Sequence, residues 1–254
     1  MIKLTGLSKK YGKTTVVDEA SALFPKGEVT SIIGPNGAGK STLLSMASRL
    51  TDSDAGEVLI GDKLLAEWDT KELAKHLAVL RQSNNINMRF TVRELVSFGR
   101  FPHSQGRMQD NDHKVVDTAL KHLGITDIQD KYLDQLSGGQ RQMAFIAMVV
   151  AQDTDYVFLD EPLNNLDIKH SVEIMQTLRR LAHEFNKAVV IVIHDINFAS
   201  SYSDNIVAMK RGQVIKAGKV DEVIDKEIME SIYEIPFEIR EFDGVKICMY
   251  YSGR

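Results

Sequence analysis

The chain has 254 residues, 43% of them hydrophobic, which is enough for one large domain or two small ones around a buried core. Its 31 Lys and Arg stand against 35 Asp and Glu, mixed along the chain, so it lacks the strongly basic face that nucleic acid needs. No stretch reaches the ~18–20 uninterrupted apolar residues of a membrane span, and the lone Cys248 cannot close an internal disulfide, so a reducing compartment is expected. The first residues also lack the apolar centre of a signal peptide.

In chain order, strand-like segments cover residues 2–7, 16–22 and 29–33, separated by the turn signals Lys10-Tyr11-Gly12 and Pro25-Lys26-Gly27. A glycine-rich loop then runs into a helix expected over 40–50, followed by a strand pair near 56–60 and 63–65. Asp69 and Glu72, three apart, predict a capped helix over 71–76, and 79–82 reads as strand. From about 91 to 133 the apolar spacing turns helical. Val92, Leu95, Val96 and Gly99 share one face; Val115 or Val116 with Ala119, Leu120 and Leu123 form a second stripe. Both are expected as core faces. A helix follows over 139–150, a buried strand over 156–159, a helix over 168–185 and a buried strand over 188–193. This order predicts an α/β fold, a mostly parallel sheet interrupted by a helical block. The tail after Gly212 is expected as short strands.

Three motifs carry chemistry. Gly34-Pro35-Asn36-Gly37-Ala38-Gly39-Lys40-Ser41 fits G-x-x-x-x-G-K-[ST] and stands between a strand and a helix, where a phosphate cradle must stand. Its glycines let successive N–H groups turn inward, the helix adds its positive end, Lys40 reaches the β- and γ-phosphates and Ser41 holds Mg²⁺. Tyr156-Val157-Phe158-Leu159-Asp160-Glu161 is an apolar strand whose carboxyl end delivers two acids to the edge where ligands bind in such sheets. Asp160 is expected to reach Mg²⁺ through water, and Glu161 to accept a proton from, or orient, the water attacking the γ-phosphate. Leu136-Ser137-Gly138-Gly139-Gln140 opens another helix with small residues and so makes a second anion-binding end. One γ-phosphate does not need two such ends, so this one is expected to serve nucleotide held by a second copy.

In this order and spacing, the phosphate loop, LSGGQ and the Asp-Glu strand resemble the ABC-family ATPases over nearly the whole chain. LSGGQ alone arises by chance about once in a million positions at average composition, so beside the phosphate loop it leaves little room for another family. The resemblance implies a P-loop NTPase core with a mostly parallel sheet, an N-terminal antiparallel β subdomain and a helical subdomain inserted at about 84–155, all in a single nucleotide-binding domain over 1–254. It implies ATP and Mg²⁺ as cofactors, with Gly34 to Ser41 and Thr42 around the phosphates. Ser41, Gln82 and Asp160 would hold the metal. Tyr11 matches the aromatic residue that stacks on adenine. Gln82, at a strand end, matches the glutamine touching Mg²⁺ and the attacking water, and His194, ending the second buried strand, matches the switch histidine at the γ-phosphate. Ser137, Gly138, Gly139 and Gln140 would close on the other copy's nucleotide. Asn164-Asn165-Leu166-Asp167 matches the loop crossing the dimer interface, with Asn-Asn where Ser-Ala is commoner; altered interface hydrogen bonds are expected there.

His76, His103, His113, His122, His170 and His183 are scattered, without metal-ligand spacing, and the ten methionines read as core filler. The stretch from Thr91 to His103, with Asp160-Glu161-Pro162-Leu163-Asn164-Asn165-Leu166-Asp167 and an end near residue 254 without an appended domain, resembles ATPases that energise import of iron–siderophore, haem and cobalamin complexes. Ferric siderophore is favoured as the most populous class. The implied machine joins two copies in a head-to-tail ATP sandwich beneath polytopic membrane permease subunits, at the cytoplasmic face of the membrane, fed by an extracytoplasmic binding protein. An exporter ATPase, or a soluble ABC machine such as an Fe–S assembly factor, would keep the same core motifs.

Overall fold

Three strands are buried along their whole length: β3 (Val29–Ile33), β7 (Tyr156–Asp160) and β8 (Ala188–Val192). In the computed structural model, which describes residues 1–82, 89–164 and 166–251, they form the middle of one sheet. Continuous Val and Ile runs are what a strand covered on both faces requires. Alternate residues feed opposite cores: Val157, Leu159, Val189 and Ile191 go to one side, Phe158, Val190 and Val192 to the other.

The chain opens with β1 (Ile2–Tyr11) and β2 (Thr14–Phe24) before β3, and α1 (Lys40–Ala47) follows the glycine-rich loop. Next come β4 (Ala55–Ile60), β5 (Lys63–Leu64), α2 (Thr70–His76) and β6 (Leu77–Leu80). The helical block holds α3 (Val92–Phe98), α4 (Phe101–Ser104), α5 (Asp110–His122) and α6 (Gly138–Ala151). After β7 come α7 (Ile168–His183), β8, α8 (Ile196–Tyr202), β9 (Asn205–Lys210) and β10 (Gln213–Lys219). The tail forms α9 (Val220–Val223), α10 (Lys226–Tyr233), β11 (Glu238–Phe242) and β12 (Val245–Met249).

Among the described residues the central sheet has the order β10-β9-β3-β8-β7-β6, parallel except for the β9–β10 edge. A separate antiparallel sheet, β2-β1-β4-β5, packs on one side, with Phe24 edge-on to Phe158 at 5.7 Å. The helical block lies on the other core. Its stripes Val92, Leu95, Val96 and Val116, Ala119, Leu120, Leu123 are buried together. Thr91 and Glu94 close a capping box on α3, and Arg100 ties the block internally through Asp112 (2.9 Å) and the Ala151 carbonyl (2.8 Å).

The tail holds the expected short strands in β10, β11 and β12 but differs from expectation in the helices α9 and α10 between them. Asp225 caps α10 by accepting from Glu227 and Ile228 N–H, and Met229 and Ile232 fall three apart on its buried face. The β-branched residues of this stretch favour strand locally, but the cap and the helical spacing prevail. Among the described residues hairpin β11–β12 pairs with no other strand, and it is clamped to α8. Cys248 N–H donates to Asn197 Oδ1 (2.7 Å), Asn197 Nδ2 donates to the Cys248 carbonyl (3.2 Å), and Ser200 Oγ donates to the Lys246 carbonyl (2.6 Å). Among the described residues no helix is long and apolar enough to cross a membrane.

Candidate active site

The phosphate loop starts where β3 ends. Gly34 has φ 145°, and a Cβ there would lie 2.1 Å from the Met209 carbonyl oxygen; at Gly39, φ 96°, it would lie 2.6 Å from that of Val16. Only glycine fits either place. Lys40, the first residue of α1, is 5% exposed, and its Nζ donates to the carbonyls of Gly34 (2.9 Å) and Pro35 (3.1 Å). The cation thus braces the loop it belongs to. Burial lowers the Lys40 pKa, against the pull of Glu161 and Asp160.

At the carboxyl end of β7, Asp160 accepts a hydrogen bond from Ser41 Oγ at 2.8 Å. Burial raises the Asp160 pKa, the Ser41 bond opposes that shift, and the charge of Glu161 adds to it. Tyr11, Ser41, Thr42, Gln82 and Asp160 line one cleft of about 310 Å³. Tyr11 stands at its rim, 54% exposed.

Glu161 is the most constrained of the acids. Its backbone is left-handed, φ 51°, rare for a non-glycine residue, and its N–H donates to the Val192 carbonyl at 3.1 Å. The turn aims the carboxylate into a ring of three side chains. Gln82 Nε2 donates to Oε2 at 2.6 Å, Asn164 Nδ2 donates to the same oxygen, and His194 Nε2 lies 2.6 Å from Oε1. Such a carboxylate is fixed in position, with its lone pairs directed. Glu161, Asn164 and His194 line a neighbouring cavity of about 240 Å³.

Gln82 and His194 each lie two residues past the strand they were expected to end, because β6 stops at Leu80 and β8 at Val192. Both are loop residues reaching back to Glu161. Asn164 was read only as part of an interface loop, and its bond to Glu161 went unforeseen. A turn brings the two together, with Asn164 N–H donating to the Glu161 carbonyl at 3.3 Å. Asn165 lies outside the described residues. Ser137, Gly138, Gly139 and Gln140 line neither cavity. They begin α6, where Ser137 Oγ accepts from Gln140 N–H and Gln140 Oε1 accepts from Ser137 N–H, both at 3.2 Å. A third cavity, about 560 Å³, is lined on the helical block by Phe90, Phe98, Phe101 and Met108 with Arg93 and Glu94; Gln82 is not part of its lining.

A phosphate cradle, a carboxylate pair beyond the central strand and a capped serine-glycine helix start on another surface define a nucleotide-hydrolysing cassette. Residues 17–164 match the family model described as ABC transporter, and the chain belongs to that family. ATP hydrolysis is the chemistry its site serves. The chain is 56% identical over 252 residues to the petrobactin import ATP-binding protein YclP of Bacillus subtilis strain 168, covering 99% of this chain and all of that one. It is 42% identical to the iron(3+)-hydroxamate import ATP-binding protein FhuC of the same organism, over 90% of this chain and 86% of that protein. The dimeric structure of the bacterial ABC transporter cassette MJ0796 superposes with a TM-score of 0.77 at 32% identity, over 87% of this chain and 99% of that one. The same cassette was also solved in a post-hydrolysis state bound to ADP and Pi.

Proposed function

We propose that the chain is the ATP-hydrolysing subunit of a membrane importer of ferric siderophore complexes, working as two copies beneath a permease at the cytoplasmic face. The observation that carries the import reading is the likeness to the petrobactin import protein along its whole length. In the reaction, Lys40 leaves the Gly34 and Pro35 carbonyls for the β- and γ-phosphates, and the loop N–H groups surround them. Tyr11 offers its ring to adenine.

The oxygens of Ser41 and Asp160, 2.8 Å apart, and the side-chain carbonyl of Gln82 in the same cleft are hard donors that suit Mg²⁺. The ion would draw charge from the β- and γ-phosphates. Glu161, fixed by Gln82, Asn164 and His194, takes the proton of the attacking water or holds it in line. His194 is placed to sense the γ-phosphate. Ser137 to Gln140, lining neither cavity, are assigned to nucleotide held by the second copy.

Ser137→Arg tests that assignment. Turnover is expected to fall to background while nucleotide binding by the isolated chain keeps its wild-type affinity. Mixing this variant with Lys40→Ala protein should yield mixed dimers with one composite site intact. Loss of binding in the isolated variant would place the signature within its own chain's site and remove the two-copy reading.

The apolar cavity over Phe98 and Phe101, the latter 61% exposed, is assigned to the permease. Deleting the gene should leave growth normal in iron-replete medium and reduce uptake of at least one radiolabelled ferric siderophore to background under iron restriction. Phe98→Asp protein should keep its basal ATPase activity yet fail to restore uptake, since coupling needs contacts that differ between two conformations. Unchanged uptake of every ferric siderophore tested would end the import assignment and leave the ATPase standing.

A further inference from the structure

Gly139 sits inside α6 with no left-handed backbone to demand a glycine. The demand is spatial. A Cβ at Gly139 would lie 3.1 Å from both Cγ and Nδ1 of His170 and 3.4 Å from its Cδ2, so the imidazole ring backs directly onto the signature.

The ring is not free to give way. Asp167 caps α7, and its Oδ1 accepts from His170 N–H and lies 2.8 Å from His170 Nδ1 as well. With the carboxylate as acceptor, Nδ1 is the nitrogen that carries the hydrogen of this bond. Ser171 Oγ donates to the Asp167 carbonyl at 2.9 Å and fastens the same turn. These hydrogen bonds to the backbone N–H and the imidazole of His170 hold the Asp167 carboxyl below its ordinary pKa. The first turn of α7 therefore sets the His170 ring against the second glycine of Ser137-Gly138-Gly139-Gln140.

We propose that His170 is a positioning residue for ATP hydrolysis: held by Asp167, its ring sets the start of the signature helix, so that the first turn of α7 and the signature move as one piece. The proposal rests on the two-copy reading, in which the signature acts on the partner's nucleotide. A change at Glu161 in one site then reaches, through Asp167 and His170, the signature that serves the other.

The test exchanges volume between the two positions in the full-length chain, with melting temperature followed for each variant. Gly139→Ala is expected to lower kcat about tenfold or more, because its methyl displaces the helix start from the ring. Monomer affinity for a fluorescent ATP analogue should stay at the wild-type value, since the cradle belongs to other elements. His170→Ala should also lower kcat. The double variant should turn over several-fold faster than Gly139→Ala alone, the methyl now filling the space of the ring. A double variant no faster than Gly139→Ala, or a His170→Ala protein with wild-type kcat, overturns the proposal.

A second measurement separates this idea from the reading beneath it. In a Glu161→Gln background, adding His170→Ala should raise the ATP concentration at half-dimerisation about tenfold. An unmoved midpoint overturns the role of His170 and leaves the two-copy reading in place. No ATP-dependent dimer from Glu161→Gln alone removes both.

Discussion

Glu161→Gln protein should bind ATP with wild-type affinity and hydrolyse it ~10²–10⁴ times more slowly, the range expected for loss of a general base. The amide keeps the shape of the carboxylate, and the Asn164 and Gln82 bonds can persist on its oxygen. What it loses is the lone pair that faces His194 across 2.6 Å and any ability to take a proton. On the proposed two-copy reading, in which hydrolysis lets the sandwich open, this variant should elute as a dimer with ATP and as a monomer without it. Size-exclusion chromatography reads the first outcome and phosphate release the second. A persistent monomer with normal turnover would contradict both roles.

Lys40→Ala should weaken ATP–Mg²⁺ binding ~100-fold, about 2.7 kcal/mol, within the range of charge-assisted hydrogen bonds to phosphate. Two losses combine. The cradle loses its cation, and the loop loses the brace from Nζ to the Gly34 and Pro35 carbonyls. Because burial already works against the charged form of Lys40, the variant should melt close to the wild type. Titration with a fluorescent nucleotide checks the affinity, and a wild-type value would remove Lys40 from the phosphate site.

Local pattern carried the sheet and the helical block. The Val and Ile runs of β7 and β8, and the three-four spacing of Val92, Leu95 and Val96, are set by which faces must be buried, and the sequence displays those faces directly. The family resemblance added roles for Tyr11, Gln82 and His194 that no spacing could have given. What stayed hidden depends on contacts between distant segments. The left-handed turn at Glu161 is fixed by its bond to Val192, on a different strand. The reach of Asn164 back to Glu161 follows from that turn. The need for glycine at 139 comes from His170, one of the scattered histidines without metal-ligand spacing. The tail after Gly212, expected as short strands, does hold β10, β11 and β12; what its local pattern hid is the pair of helices between them, of which α10 is capped by Asp225.

The tie between hairpin β11–β12 and α8 bears on how the molecule opens. Asn197 meets both backbone groups of Cys248, as a neighbouring strand would, and together with Ser200 it ties the hairpin to α8. A two-stranded ribbon is marginal alone, and its protection against hydrogen exchange must therefore rise and fall with that of α8 as one cooperative unit. Asp195 caps α8 directly after His194. The free energy that detaches the ribbon is thus also the one that slackens the support behind the histidine, and exchange at Cys248, buried and remote from the phosphate loop in sequence, reports on the order of the turn that holds His194 against Glu161.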